Sequence, residues 1–136
     1  MTIDDLIDNF DLFDDWEEKY KYIIDLGKKL PDMPEAEKSE DNKVRGCMSQ
    51  VWLTSHDNAD DPTLLSFNAD SDAFIVKGLI AVLMIIFNNK SADDIASIDA
   101  ISILSEIGLD HHLSPNRRNG LVAMVERIKF IAASKA

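Results

Sequence analysis

Val44-Arg45-Gly46-Cys47-Met48-Ser49-Gln50-Val51-Trp52 is the stretch on which the reading of this chain turns. A polar connection ends before it, an apolar run with β character begins at its end, and it holds the only cysteine of the 136 residues. A single thiol cannot close an internal disulfide, form a Cys-x-x-Cys redox pair or supply the thiolates of a cysteine-ligated cluster. Two readings of Cys47 stay open. Free cysteine is among the most buried residue types and packs without doing chemistry. A thiolate is also a nucleophile, and Lys43 and Arg45 would stabilise it if they face it. Gly46 removes a side chain that would crowd an incoming group and opens torsions closed to other residues. Met48, Val51 and Trp52 fit either plain core or a pocket that shelters the thiol.

Outward from this stretch the hydrophobic period changes twice. Val51 to His56 and Leu64 to Phe67 are β-like runs separated by the turn-rich Asp57 to Pro62, which predicts an antiparallel hairpin. A further strand around Lys43 to Arg45 would complete a small sheet of about three strands. Pro31 to Asn42 has two prolines, several charges and little apolar periodicity, and reads as a surface connection, either a plain linker or a tether that lets the Cys47 segment move. Ahead of it lie two helices. Thr2 and Asp5 resemble a capping box before Ile3, Leu6, Ile7, Phe10 and Phe13. Asp15 to Leu26 places Trp16, Tyr20, Ile23 and Ile24 on one face, with Gly27 as its stop.

The second half reads as helical. Ser71 or Asp70 would cap a helix from Ala73 to Phe87, apolar almost all round apart from Lys77, as expected for a central buried helix; it is too short and interrupted to span a membrane. Ser91 opens another helix, Ser102 to Ile107 a further one ended by Gly108, and Ser114-Pro115 the last. In that last helix Leu121, Met124, Val125, Ile128 and Ile131 form a stripe for packing onto the sheet. The expected fold class is α+β, a small antiparallel sheet flanked by helices, in one domain over residues 1–136, with no internal repeat.

Composition narrows the function. With 46% apolar and 29% charged residues the chain is an ordinary globule. Its net charge of −11 and lack of a basic stripe exclude the counterion release on which nucleic-acid binding depends. Acids gather in Asp4 to Glu18, Glu35 to Asp41 and Asp57 to Asp61, as a solvated face or as the complement of a basic partner patch. Met1-Thr2-Ile3-Asp4-Asp5 is acidic where a secretory signal would be basic, so a cytoplasmic location is expected, in keeping with one unpaired thiol. His111-His112 lacks the spacing of a metal site, and no metal is expected. Lys77 either carries a depressed pKa for Schiff-base chemistry or, more commonly for such a lysine, reaches solvent or pairs with Asp70 or Asp72.

Gly46-Cys47-Met48-Ser49-Gln50-Val51-Trp52 resembles the G-C-x-S-x-V-W signature of the SufE family, sulfur acceptors that work beside cysteine desulfurases in iron-sulfur cluster assembly. Other blocks match in the family's order: Trp16-Glu17-Glu18-Lys19-Tyr20 with Tyr22-Ile23-Ile24, Leu26-Gly27 and Leu30-Pro31; Asp70-Ser71-Asp72-Ala73 with Ile75-Val76-Lys77-Gly78-Leu79-Ile80-Ala81-Val82; and His112-Leu113-Ser114-Pro115-Asn116-Arg117 with Gly120-Leu121. The resemblance implies a SufE/IscU-like fold, with Cys47 as persulfide acceptor and Gly46, Arg45, Met48, Ser49, Val51 and Trp52 around it. Asp72 and Arg117 become partner or loop contacts. The implied partners are a cysteine desulfurase, SufS-like or CsdA-like, and a cluster scaffold that receives the sulfur. The chain itself would need no resident cofactor, since pyridoxal phosphate belongs to the desulfurase, and it would be a carrier and activator more than a stand-alone enzyme. The alternative is a non-catalytic acidic adaptor in which Cys47 is structural.

Overall fold

The computed structural model describes residues 2–44 and 50–135. Local capping chemistry sets the first two helices. In α1 (Ile3–Asp11) the Thr2 hydroxyl accepts from the Asp5 N–H at 3.1 Å while the Asp5 carboxylate accepts from the Thr2 N–H at 3.1 Å, satisfying two of the donors that a helix start leaves open. In α2 (Trp16–Lys28) the Asp15 carboxylate accepts from the Glu18 N–H at 2.9 Å. Gly27 does not stop this helix, which runs through it to Lys28. Its role is tertiary: a Cβ there would lie 2.6 Å from the Gly78 backbone nitrogen of α3 (Phe74–Phe87). Gly78 answers it, since a Cβ at that position would lie 2.3 Å from the Ile23 carbonyl oxygen. The two helices thus cross backbone to backbone.

The sheet has three antiparallel strands, β1 (Val51–Asp57), β2 (Leu64–Ser71) and β3 (Lys90–Ser91), in the order β1-β2-β3. The expected hairpin is present, but β2 continues past Phe67 to Ser71, which sets Trp52 opposite Asp70. Of the strand expected around Lys43 to Arg45, Arg45 lies outside the described residues. Lys43 makes an isolated bridge to Trp52, and among the described residues the third strand of the sheet is Lys90–Ser91, on the other side of the hairpin. Asn89 makes that turn by adopting φ +58°, a left-handed torsion asparagine tolerates, with its N–H on the Leu65 carbonyl at 2.8 Å.

After β3 come α4 (Ala92–Ser97), α5 (Ala100–Glu106), α6 (Leu109–His112) and α7 (Pro115–Lys135). The Ser91 hydroxyl caps α4 through the Asp94 N–H at 3.1 Å. Helix α5 begins earlier than Ser102 because Asp99 caps it, accepting from the Ser102 N–H at 3.1 Å. Gly108 turns the chain into α6 with φ +81°. The apolar stripe of α7 packs chiefly on α4 and α3 instead of on the sheet. One cluster of buried side chains unites these elements, with Phe10, Ile23, Leu53, Ile80, Phe87 and Ile128 at its centre.

Candidate functional site

The residues on either side of the Cys47 segment are fastened by backbone bonds. Val44 is buried, and its N–H donates to the Val51 carbonyl at 2.8 Å, one residue past the bridge between Lys43 and Trp52. On the far side, the Gln50 N–H donates to Asp72 Oδ1 at 3.2 Å and the Gln50 carbonyl accepts from the Asp72 N–H at 3.3 Å. Two stems, Lys43-Val44 and Gln50-Val51, are therefore held by β1 and by the turn after β2. Of the expected site residues, Arg45, Gly46, Cys47, Met48 and Ser49 lie outside the described residues. Val51 is fully buried and belongs to the core. Trp52 is half-buried, with the Lys38 ammonium 5.6 Å from its ring centroid, a cation–π distance.

Asp70 supports this region from beneath. Its carboxylate is buried, yet Lys77 Nζ lies 3.3 Å from Oδ1, Lys38 Nζ 3.5 Å from Oδ2, and the Ser71 N–H donates to Oδ1 at 2.8 Å. Burial alone would push its pKa up; the Ser71 N–H and the charges of Lys77 and Lys38 outweigh that and hold it below the usual carboxylate range. Glu35, 3.3 Å from Lys38, is the main reason the Lys38 pKa is raised, and Asp70 adds to it. Lys77 thus takes the pairing role, with Asp70 and not Asp72 as its partner. Lys38 ties the connection ahead of the Cys47 segment onto the sheet. The connection's lack of periodicity hid that contact in the sequence; a lysine in an otherwise acidic run was its only signal.

Asp72 and Arg117 sit on different elements, in the turn after β2 and in the first turn of α7. Asp72 is exposed and bonded to Gln50. Arg117 is exposed in the first turn of α7, its backbone N–H 3.3 Å from the Ser114 hydroxyl, and among the described residues no ion pair joins it to Asp72. His112 stacks on Trp16, with ring centroids 3.8 Å apart and planes 16° from parallel, and its Nδ1 lies 3.1 Å from the Gly108 carbonyl. The Tyr20 hydroxyl donates to the His112 carbonyl. These contacts give His112 a packing role that fastens α6 to α2. Among the described residues no three His, Cys, Asp or Glu side chains are grouped to hold a metal, and no helix is long and apolar enough to cross a membrane.

Residues 4–132 match the model of the SufE family, described as an Fe-S metabolism associated domain. An uncharacterized SufE-like protein of Rhizobium meliloti is 51% identical over 136 residues, covering 98% of this chain and 96% of that protein. One from Rhizobium etli is 46% identical, covering 99% and 92%. The solution structure of a hypothetical protein from Thermus thermophilus superposes with a TM-score of 0.78 over 98% of this chain and 97% of that one, at 16% identity, a likeness of fold.

Proposed function

The chain belongs to the SufE family, and from that premise we propose that it accepts sulfur from the persulfide of a cysteine desulfurase onto Cys47 and hands it on to iron-sulfur cluster assembly. The observation that carries this reading is the position of the chain's one cysteine between two stems fastened to β1 and Asp72, in a sequence that matches the family over residues 4–132. The chemistry is thiol–disulfide exchange. The Cys47 thiolate attacks the outer sulfur of the donor persulfide; a new S–S bond forms to Cys47 as the donor's S–S bond breaks and its cysteine leaves as a thiolate. The outer sulfur keeps its oxidation level, so no external oxidant or reductant enters.

Clearing the persulfide frees the desulfurase for its next turnover, which makes the acceptor an activator of its partner. A single thiol suits a carrier, whereas a scaffold needs several ligands. The pyridoxal phosphate belongs to the desulfurase, and the exchange takes place in the cytoplasm. The carrier and adaptor readings separate in one kinetic comparison. As a carrier, the wild-type chain raises the desulfurase's rate of alanine release from L-cysteine and Cys47→Ser does not, although both bind. Equal stimulation by Cys47→Ser would overturn the carrier reading in favour of the adaptor.

A further inference from the structure

Phe74 opens α3 with 76% of its surface exposed, although the same helix is buried from Gly78 to Met84. Isolated apolar side chains on a surface need no explanation by themselves. Leu12, Ile101 and Phe130 are also exposed among the described residues. What distinguishes Phe74 is its position two residues past Asp72, which holds Gln50 at the edge of the Cys47 segment. One turn further along α3, Lys77 is fixed on Asp70, so the start of the helix is anchored to the sheet. An exposed aromatic ring therefore follows, two residues along the chain, an exposed carboxylate that is bonded to the stem.

We propose that Phe74 is the apolar anchor with which this chain docks the protein that donates sulfur to Cys47, with Asp72 as its charged flank. The inference rests on the carrier reading above. Sulfur exchange needs the donor sulfur within bonding reach of Cys47, so any donor protein covers the ground next to the Gln50 stem, and Phe74 is exposed two residues from the Asp72 that holds that stem. Aromatic side chains that enter a partner's pocket dominate binding energy, while neighbouring charges steer approach and fix orientation. Asp72 and the net charge of −11 call for a cationic counterpart. The partner surface that fits is an apolar pocket for one ring with a lysine or arginine on its rim.

The test is calorimetric titration of a cysteine desulfurase with wild-type chain, Phe74→Ala, Phe74→Leu and, as a control, Phe130→Ala on α7, whose ring is 69% exposed. Sulfur loading of Cys47 at saturating acceptor is measured in parallel. Phe74→Ala is expected to raise Kd by about 10- to 30-fold, with melting temperature and saturated loading rate unchanged. Phe74→Leu recovers most of the affinity, and Phe130→Ala leaves it unaltered. A Kd for Phe74→Ala within about twofold of wild type, an equal loss with Phe130→Ala, or a shift of wild type but not Phe74→Ala to a dimer would each overturn the proposal. Phe74-dependent binding without sulfur on Cys47 would instead refute the carrier reading and leave the docking surface standing.

Discussion

Gly78→Ala tests the backbone-to-backbone crossing on which the molecule is built. The added Cβ would sit 2.3 Å from the Ile23 carbonyl oxygen, 2.4 Å from Ile23 Cγ2 and 2.7 Å from the Ile23 carbonyl carbon. Ordinary contact needs a separation of about 3.4 Å or more, so α2 and α3 must part by roughly 1 Å at their crossing. Two of the three obstructing atoms are backbone, and no rotamer change relieves them. Overpacking of this kind costs about 1–3 kcal/mol. Alanine's better helix propensity returns about 1 kcal/mol. Because the displacement opens the buried contacts around Ile23 and Leu26, the steric cost falls at the top of its range, and a net loss of about 2 kcal/mol is expected. Urea unfolding should show a lower midpoint at unchanged slope, and the melting temperature should fall by about 6 °C. Gly27→Ala meets the same crossing from the other side, so the double variant should lose less than the sum of the singles. Stability of Gly78→Ala at or above wild type would refute the reasoning, because helix propensity would then have outweighed a contact that is not close.

Further predictions concern the supports of the site. Asp70→Asn, which leaves Lys77 without its counter-charge and Lys38 with Glu35 alone, should cost about 2 kcal/mol at pH 7, less than a fully buried pair because both lysines can turn to solvent. Since the folded pKa of Asp70 is lowered, its stabilisation is fully present above the unfolded carboxylate value of about 4 and is lost as pH falls through the lower folded value. The stability gap between wild type and variant should therefore be flat from neutral pH to about pH 5 and close below about pH 4; a gap that widened with acid would contradict the pairing. Asp72→Ala removes the acceptor of the Gln50 N–H and should cost about 1 kcal/mol or less, with faster hydrogen exchange at the Gln50 amide. Unchanged exchange there would show that Asp72 does not hold the stem.

The elements that were legible in the sequence are those fixed by neighbouring residues. Thr2 with Asp5, and Ser91, each cap the helix that follows, and the β-like runs on either side of the Asp57 to Pro62 turn do pair. What stayed illegible depends on residues far apart in the chain. Gly27 near a helix end has the look of a stop, and only the approach of Gly78 explains it. The third strand follows from a left-handed Asn89 and a two-residue pairing too short to leave a pattern. The choice between Asp70 and Asp72 as the partner of Lys77 turned on β2 reaching Ser71, which places Asp70 opposite Trp52 and inside. Phe74 was absorbed into an apolar helix, yet its place in the first turn leaves it outside the core. The residues around Cys47 left a packed thiol and a nucleophile both open, and the sulfur chemistry was implied by the family resemblance. Arg117 was grouped with Asp72 by the family pattern alone, and among the described residues no ion pair joins the two.

The central claim is most directly tested by intact-protein mass spectrometry without reductant, after incubation of the chain with a pyridoxal-phosphate-loaded cysteine desulfurase and L-cysteine, with Cys47→Ser in parallel. The account expects the wild-type mass to rise by one or more sulfur atoms, reversibly on addition of reductant, and the Cys47→Ser mass to stay fixed. Wild-type chain that binds the desulfurase and gains no sulfur, or Cys47→Ser that gains as much, would contradict it.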